Sequence, residues 1–346
     1  MAIEAGLFSA MLRDGADDIL IADEWFADQL TTAGKKCILV PAHEASKSLD
    51  AIPELVISLR KSGATRQTAL VALGGGIVQD VAAFIASVYM RGLKWKYYPT
   101  TLLAMVDSCI GGKSSINVGP YKNLVGTFHP PEAVLIDPSL ALTLSDERRV
   151  GGLVEAAKIC FCRGEETFQE YLSFKPGAEM SVEQVERVAY RSLLAKKWFI
   201  ETDEFDKAER LLLNFGHTFG HAIEGASHFE IEHGVGVGLG VLCALEMGRL
   251  LGRDYSSLRC VQLLDQHMKE LLVAVPGLRE RLSRLSLEDV LDRFEADKKH
   301  GHDYYTVILV SNSGTVELFR LPKNQQSLDL VRIALGSMLS DLSFQS

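Results

Sequence analysis

The chain is expected to form two domains: an α/β domain on a parallel sheet over residues 1–144, then a mainly α-helical domain over residues 145–346. Three observations predict this. Before residue 145, short β-rich runs alternate with amphipathic helical patterns, as strand–helix–strand units on a parallel sheet do. From Ser145 the pattern changes to long helices, and no strand signal returns until YYTVILV and TVELFRL near the C-terminus. Finally, 346 residues exceed what one small core organises.

In chain order, DILIAD reads as a strand ending on Asp23 and KCILVPA as the next. SLDAIPELVISLRKSG is an amphipathic helix with Ile52, Leu55, Val56 and Leu59 as its apolar residues. ALVAL is a buried strand that runs into Gly74-Gly75-Gly76, where a helix begins. Glycines at such a turn serve either a tight bend or a cradle where backbone N–H groups meet a phosphate at a helix N-terminus. Asp80, in the first turns of that helix, adds a carboxylate suited to a ribose or nicotinamide contact, although the run is not GxGxxG.

The strand KWKYYPTT follows, then a glycine-bearing loop with Lys113, Lys122 and Asn123, with Arg91 and Asp107 upstream. Cations among backbone amides suit an anionic, oxygen-rich ligand such as a sugar phosphate. AVLIDPSLALTL closes this half with a strand and a turn. In the second half, ERRVGGLVEAAKICF, SVEQVERVAYRSLLAKKWFIETDE and HGVGVGLGVLCALEMGRLLG read as helices, and the two late strands as a hairpin joined by SNSG.

The net charge of -9 argues against a general nucleic-acid binder, which needs a surplus of lysine and arginine, and leaves room for local basic clusters. No apolar run reaches the roughly 18 residues of a membrane span. The N-terminal residues lack the basic-then-apolar order of a signal peptide. The six cysteines show no CxxC pair and read as reduced thiols, so a cytoplasmic protein is expected.

Chemistry concentrates in LNFGHTFGHAIEGASHFEIEHG, which holds four of the nine histidines. His217 and His221 are one helical turn apart on one face, and His233 precedes the small-residue run GVGVGLG. Converging imidazoles with a carboxylate make a divalent-cation site with room for substrate; the same residues would also serve as structural histidines in a helical core.

GGGIVQD, DSCIGGKSSIN, YKN, GGLVEAAK and LNFGHTFGHAIE occur in this order along the chain, and with them the sequence resembles the sugar phosphate cyclases, nearest to the dehydroquinate-forming branch. The resemblance implies a Rossmann-like, NAD-binding N-terminal domain, a helical C-terminal domain and an active site between them. It also implies a catalytic zinc, replaceable by cobalt, NAD regenerated in each turnover, and a homodimer. Carried over by residue, the metal ligands are Glu155, His217 and His233. His221 is then a proton-transfer partner facing the substrate phosphate or a water. Lys113, Lys158, Lys196, Arg210 and Asn214 are implied as catalytic, and Arg91, Asp107, Lys122, Asn123 and one of Lys298 and Lys299, taken to be Lys298, as substrate contacts. Gly75, Gly76, Asp80, Thr100 and Thr101 contact the cofactor, with Glu44 and Lys47 on its adenosine side. The implied substrate is a seven-carbon sugar-acid phosphate, cyclised by oxidation, loss of phosphate, reduction and aldol closure.

The chain departs from the family pattern in two places. The span between Asp23 and Glu44 is short, with His43 in place of the usual glycine. After His233, Val235 stands where a glutamate is usual, so a carboxylate behind the metal ligands is expected to be missing. Other cyclases, of the amino-dehydroquinate or 2-deoxy-scyllo-inosose type, and more distantly a metal-dependent polyol dehydrogenase or a non-catalytic homologue, are the competing readings.

Overall fold

Six strands make the sheet of the N-terminal unit: β1 (Ala2–Ile3), β2 (Ile19–Asp23), β3 (Cys37–Val40), β4 (Leu70–Gly74), β5 (Trp95–Pro99) and, after a small hairpin β6–β7 (Ile116–Val118, Tyr121–Val125), β8 (Ala133–Ile136). The order is β1-β8-β5-β4-β2-β3, with every adjacent pair parallel. Helices α1 (Leu7–Arg13), α2 (Ala27–Thr32), α3 (Ile52–Lys61) and α4 (Gly76–Val88) lie in the connections. The chain moves outward from β2 to β3, then returns to β4 and travels the other way to β8. The order therefore reverses between β2 and β4, and the carboxyl ends of strands at such a point form the crevice where open α/β sheets hold ligands. β4 is buried at every residue, as a central parallel strand covered on both faces must be.

This computed structural model describes residues 1–344, with side chains to residue 340. It resolves into two units, Met1–Leu144 with Ser181–Tyr190, and Ser145–Met180 with Arg191–Ser346. The strands and helices read from the sequence are present. β1, α1 and the β6–β7 hairpin were not anticipated. β7 is exposed along nearly its whole length, so it lacks the apolar alternation by which a strand is recognised.

The second unit opens with α5 (Asp146–Arg163). Ser145 caps it by accepting from the Arg148 amide, and Asp146 and Glu147 favour the positive end of the helix dipole. There follow α6 (Glu165–Ser173), α7 (Val182–Thr202), whose first residues group with the N-terminal unit, then α8 (His217–Ala226) and α9 (His233–Leu250). After them come α10 (Arg259–Val273), α11 (Leu278–Ser283), α12 (Leu287–Glu295), the antiparallel pair β9 (Tyr304–Val310) and β10 (Val316–Pro322), and α13 (Gln325–Phe344).

The alternating glycines of α9 explain how the unit is packed. Two residues advance a helix by about 200°, so Gly234 and Gly238 share one side and Gly236 and Gly240 the other. A Cβ on Gly234 would overlap the Gly151 backbone of α5, and one on Gly238 would come within 3.1 Å of Val154. On the other side, a Cβ on Gly240 would overlap the Gly216 carbonyl oxygen and lie 2.6 Å from the Gly220 nitrogen of α8. α9 thus touches α5 and α8 almost backbone to backbone.

None of the six cysteines is in a disulfide. Burial pushes the Cys37, Cys160, Cys162, Cys243 and Cys260 thiols above the usual range. Among the described residues no helix is long and apolar enough to cross a membrane.

Candidate metal and active site

The close approach of α5, α8 and α9 gathers the histidines. His217, His221 and His233 each present a nitrogen within 4.8 Å of the others. From α5, Glu155 adds a carboxylate that is 1% exposed, with Oε1 at 3.6 Å from His217 Nε2 and 3.5 Å from His233 Nε2. Its other oxygen pairs with the Lys158 ammonium, which is equally buried. Burial favours the neutral acid, but Lys158 and the histidines outweigh it and hold Glu155 well below the usual carboxylate range. Burial and Lys158 push His217 down, so the charges that keep Glu155 ionised are those of Lys158 and His233.

A divalent cation fits these donors. Two ligands about 2.1 Å from a tetrahedral ion lie about 3.4 Å apart, close to the 3.5 and 3.6 Å separations between Glu155 and the two imidazoles. The second nitrogens distinguish the three rings. His217 Nδ1 lies 3.3 Å from the Phe215 carbonyl oxygen, and His233 Nδ1 lies 3.1 Å from Glu224 Oε2. Each can donate from Nδ1 and leave the Nε2 lone pair facing the Glu155 side. One edge of His221 is open to solvent while the rest of the ring is packed among its neighbours, and it has no hydrogen bond among the described residues. Burial, with Lys299 and His233 beside it, pushes His221 down to about 4.

Two expectations are corrected here. Lys298 is exposed, whereas the Nζ of Lys299 is buried without a hydrogen-bond partner among the described residues. Lys299 also acts electrostatically on His221 and, with Lys158 as a cationic neighbour, is itself pushed down by burial. Lys299, not Lys298, therefore faces this cluster. The missing carboxylate is not missing either: Val235 is fully buried, and Glu224 on α8 stands behind His233 instead.

Lys196 and Arg210 are also buried in this unit. Arg210 donates to the Glu204 carbonyl oxygen, and Asn214 to that of Leu211. Asp203, which the sequence did not single out, accepts from the Lys207, Ala208 and Arg210 amides and so shapes the Arg210 loop.

In the N-terminal unit, α4 starts at Gly76 behind Gly75, with no side chain capping its first amides. A Cβ on Gly75 would sit 2.9 Å from the Thr101 methyl, so the turn has room for backbone alone, while Gly76 opens onto space. The Thr100 amide donates to the Gly74 carbonyl and joins the two strand ends. This cradle suits a phosphate-bearing cofactor. Beyond it, buried Lys47 pairs with Asp80 at 2.6 Å and donates to Asn123 Oδ1 at 2.8 Å. Asn117, also not anticipated, donates to Glu44 and accepts from the Asn123 amide, where φ is +56°. Burial lifts Asp80 to about 6 against the pull of Lys47. Glu44, Lys47, Asp80 and Asn123 thus form one polar cluster despite the short preceding segment. Arg91 and Lys122 are exposed, Lys113 lies over the Phe128 ring, and Asp107 is half-buried on a π-helical turn.

The N-terminal family model of 3-dehydroquinate synthase matches residues 37–150, and the C-terminal model matches residues 152–300. The chain belongs to the 3-dehydroquinate synthase family. A 3-dehydroquinate synthase from Dictyoglomus turgidum is 37% identical over 313 residues, covering 90% of this chain and 85% of that protein. In fold, the chain is similar to a 2-deoxy-scyllo-inosose synthase complexed with carbaglucose-6-phosphate, NAD+ and Co2+, with a TM-score of 0.81, 22% identity and coverage of 96% and 95%. It is also similar to a 2-epi-5-epi-valiolone synthase from Streptomyces hygroscopicus with NAD+ and Zn2+ bound, with a TM-score of 0.76, 22% identity and coverage of 97% and 96%.

Proposed function

We propose that this protein is an NAD- and metal-dependent 3-dehydroquinate synthase, converting 3-deoxy-D-arabino-heptulosonate 7-phosphate to 3-dehydroquinate with release of phosphate. The observation that carries this reading is the Glu155–His217–His233 cluster, with Lys158 and Lys299 beside it, in a chain matched by both family models. When bound, NAD takes up and returns a hydride, and zinc or cobalt polarises the substrate alcohol. Glu155, His217 and His233 are the ligands in this reading. His221, neutral at physiological pH and open to solvent, takes a proton. Lys158, Lys196, Arg210 and Lys299 orient and neutralise the phosphate and carboxylate of the substrate. Lys113, Lys122, Asn123, Asn214, Arg91 and Asp107 complete the polar contacts. Gly75, Gly76, Thr100 and Thr101 receive the cofactor, with Asp80, Lys47 and Glu44 on its sugars. We assign the protein to the cytoplasm as a homodimer.

The test is phosphate release by purified protein with zinc and NAD, comparing the seven-carbon keto-acid phosphate with glucose 6-phosphate and sedoheptulose 7-phosphate. Turnover of the first alone, without accumulating NADH and lost in His217→Ala, is the expected result. Turnover of another sugar phosphate would move the protein to a sister cyclase, and net NADH from simple polyols would make it a dehydrogenase.

A pH dependence follows from Asp80. A ribose hydroxyl donates to the ionised carboxylate, so NAD affinity should hold above about pH 6 and fall as pH drops below it, when the carboxyl is protonated. Asp80→Asn should bind NAD more weakly with this step removed. Titrations across the range check it, and an unchanged step in the variant would assign the proton elsewhere.

A further inference from the structure

We infer that Glu224 is a positioning residue for the metal centre, the group that holds His233 in its ligating tautomer; this rests on the metal-dependent reading above. His217, His221 and Glu224 lie at i, i+4 and i+7 on α8, so one helical face presents two imidazoles and a carboxylate. That carboxylate reaches across to α9, where its Oε2 is 3.1 Å from His233 Nδ1. The opposite nitrogen of the same ring is 3.5 Å from Glu155 Oε1. His233 is thus held from both sides by carboxylates on two different helices.

The two contacts differ in kind. A neutral imidazole carries its proton on one nitrogen only. In the neutral ring that a bound cation would require, Nδ1 keeps its proton for Glu224 and the lone pair is on Nε2, directed to the Glu155 side where His217 Nε2 also points. Without Glu224 the ring would be free to protonate Nε2 or to turn, and neither state offers a ligand in that direction. His217 achieves the same end with a backbone carbonyl, that of Phe215. His233 opens α9 directly after Glu232, with no side-chain cap, so the oriented contact must come from a neighbouring element. The ring is 38% exposed, whereas Glu224 is 16% exposed, so the better-buried carboxylate anchors the looser ring. α8 and α9 approach through Gly220 and Gly236, and a Cβ on Gly236 would lie 3.8 Å from the Glu224 Cβ. The reach of the glutamate is therefore set by the glycine contact.

The test uses cobalt, whose visible absorption reports coordination independently of turnover. Metal-free full-length protein, Glu224→Ala and Glu224→Gln are each titrated with Co2+, and urea denaturation of the metal-free forms is followed in parallel. Glu224→Ala is expected to bind cobalt about 10–100-fold more weakly, with an altered d–d spectrum. Glu224→Gln, whose amide oxygen accepts the same hydrogen bond, is expected to recover most of the affinity. Wild-type affinity and spectrum in Glu224→Ala would overturn the proposal. So would equal weakening in both variants in proportion to a lost denaturation midpoint, which is what a merely structural glutamate predicts. Failure of the parent protein to bind cobalt would instead remove the metal-dependent reading itself.

Discussion

Replacing Gly240 by alanine is expected to destabilise the protein by about 3 kcal/mol or more and to abolish cobalt binding. The new methyl would overlap the Gly216 carbonyl oxygen and crowd the Gly220 nitrogen at 2.6 Å. Backbone atoms cannot rotate out of the way, so α8 must retreat as a unit. His217 and His221 would move with it, away from Glu155 and His233. Gly236→Ala is the matched control. Its methyl would find the Gly220 carbonyl oxygen at 3.2 Å, a contact that a shift of a few tenths of an ångström relieves. Urea denaturation and cobalt titration of both variants check the contrast, and equal midpoints would show that the packing yields more easily than the close approach implies.

Glu155→Leu is expected to cost about 3–5 kcal/mol of stability, because Lys158 would keep a buried charge without its partner. Lys158 is 2% exposed, so little water is available to take the place of the carboxylate. If Glu155 is a ligand as proposed, turnover should fall by at least about a thousandfold, since the proposed ligand set loses its carboxylate and several kcal/mol of transition-state stabilisation with it. The double variant Glu155→Leu/Lys158→Met removes both charges and should regain most of the stability while remaining inactive. Chemical denaturation separates the two effects. A single variant as stable as the parent would mean that Lys158 does not depend on Glu155.

The parallel sheet and the helical half were legible because their patterns are periodic and because Ser145 followed by acidic residues is a helix-start signal. The convergence of the histidines was legible from residue type and from the one-turn spacing of His217 and His221. What could not be read was direction. Lys298 and Lys299 lie in a turn, where no helical period tells which neighbour points inward, and burial is what distinguishes them. Glu224, three residues beyond His221, looks like any surface glutamate until α9 is in place beside it. The glycines of GVGVGLG read as generic core, because a sequence does not reveal that successive glycines address different helices. Asn117 gave no signal at all; its role depends on a left-handed residue, Asn123, in a hairpin too exposed to show alternation.

The buried thiols have a practical consequence. Electrophiles and oxidants attack an accessible thiolate, and Cys109, Cys160, Cys243 and Cys260 are buried, the last three with their thiols pushed up by that burial. With Cys37 and Cys162, the two half-buried thiols, replaced by serine, the folded protein should be a quiet background for maleimide chemistry. A single cysteine introduced on the exposed face of β7, at Leu124, would take a fluorescent or spin label with little competition from the native ones.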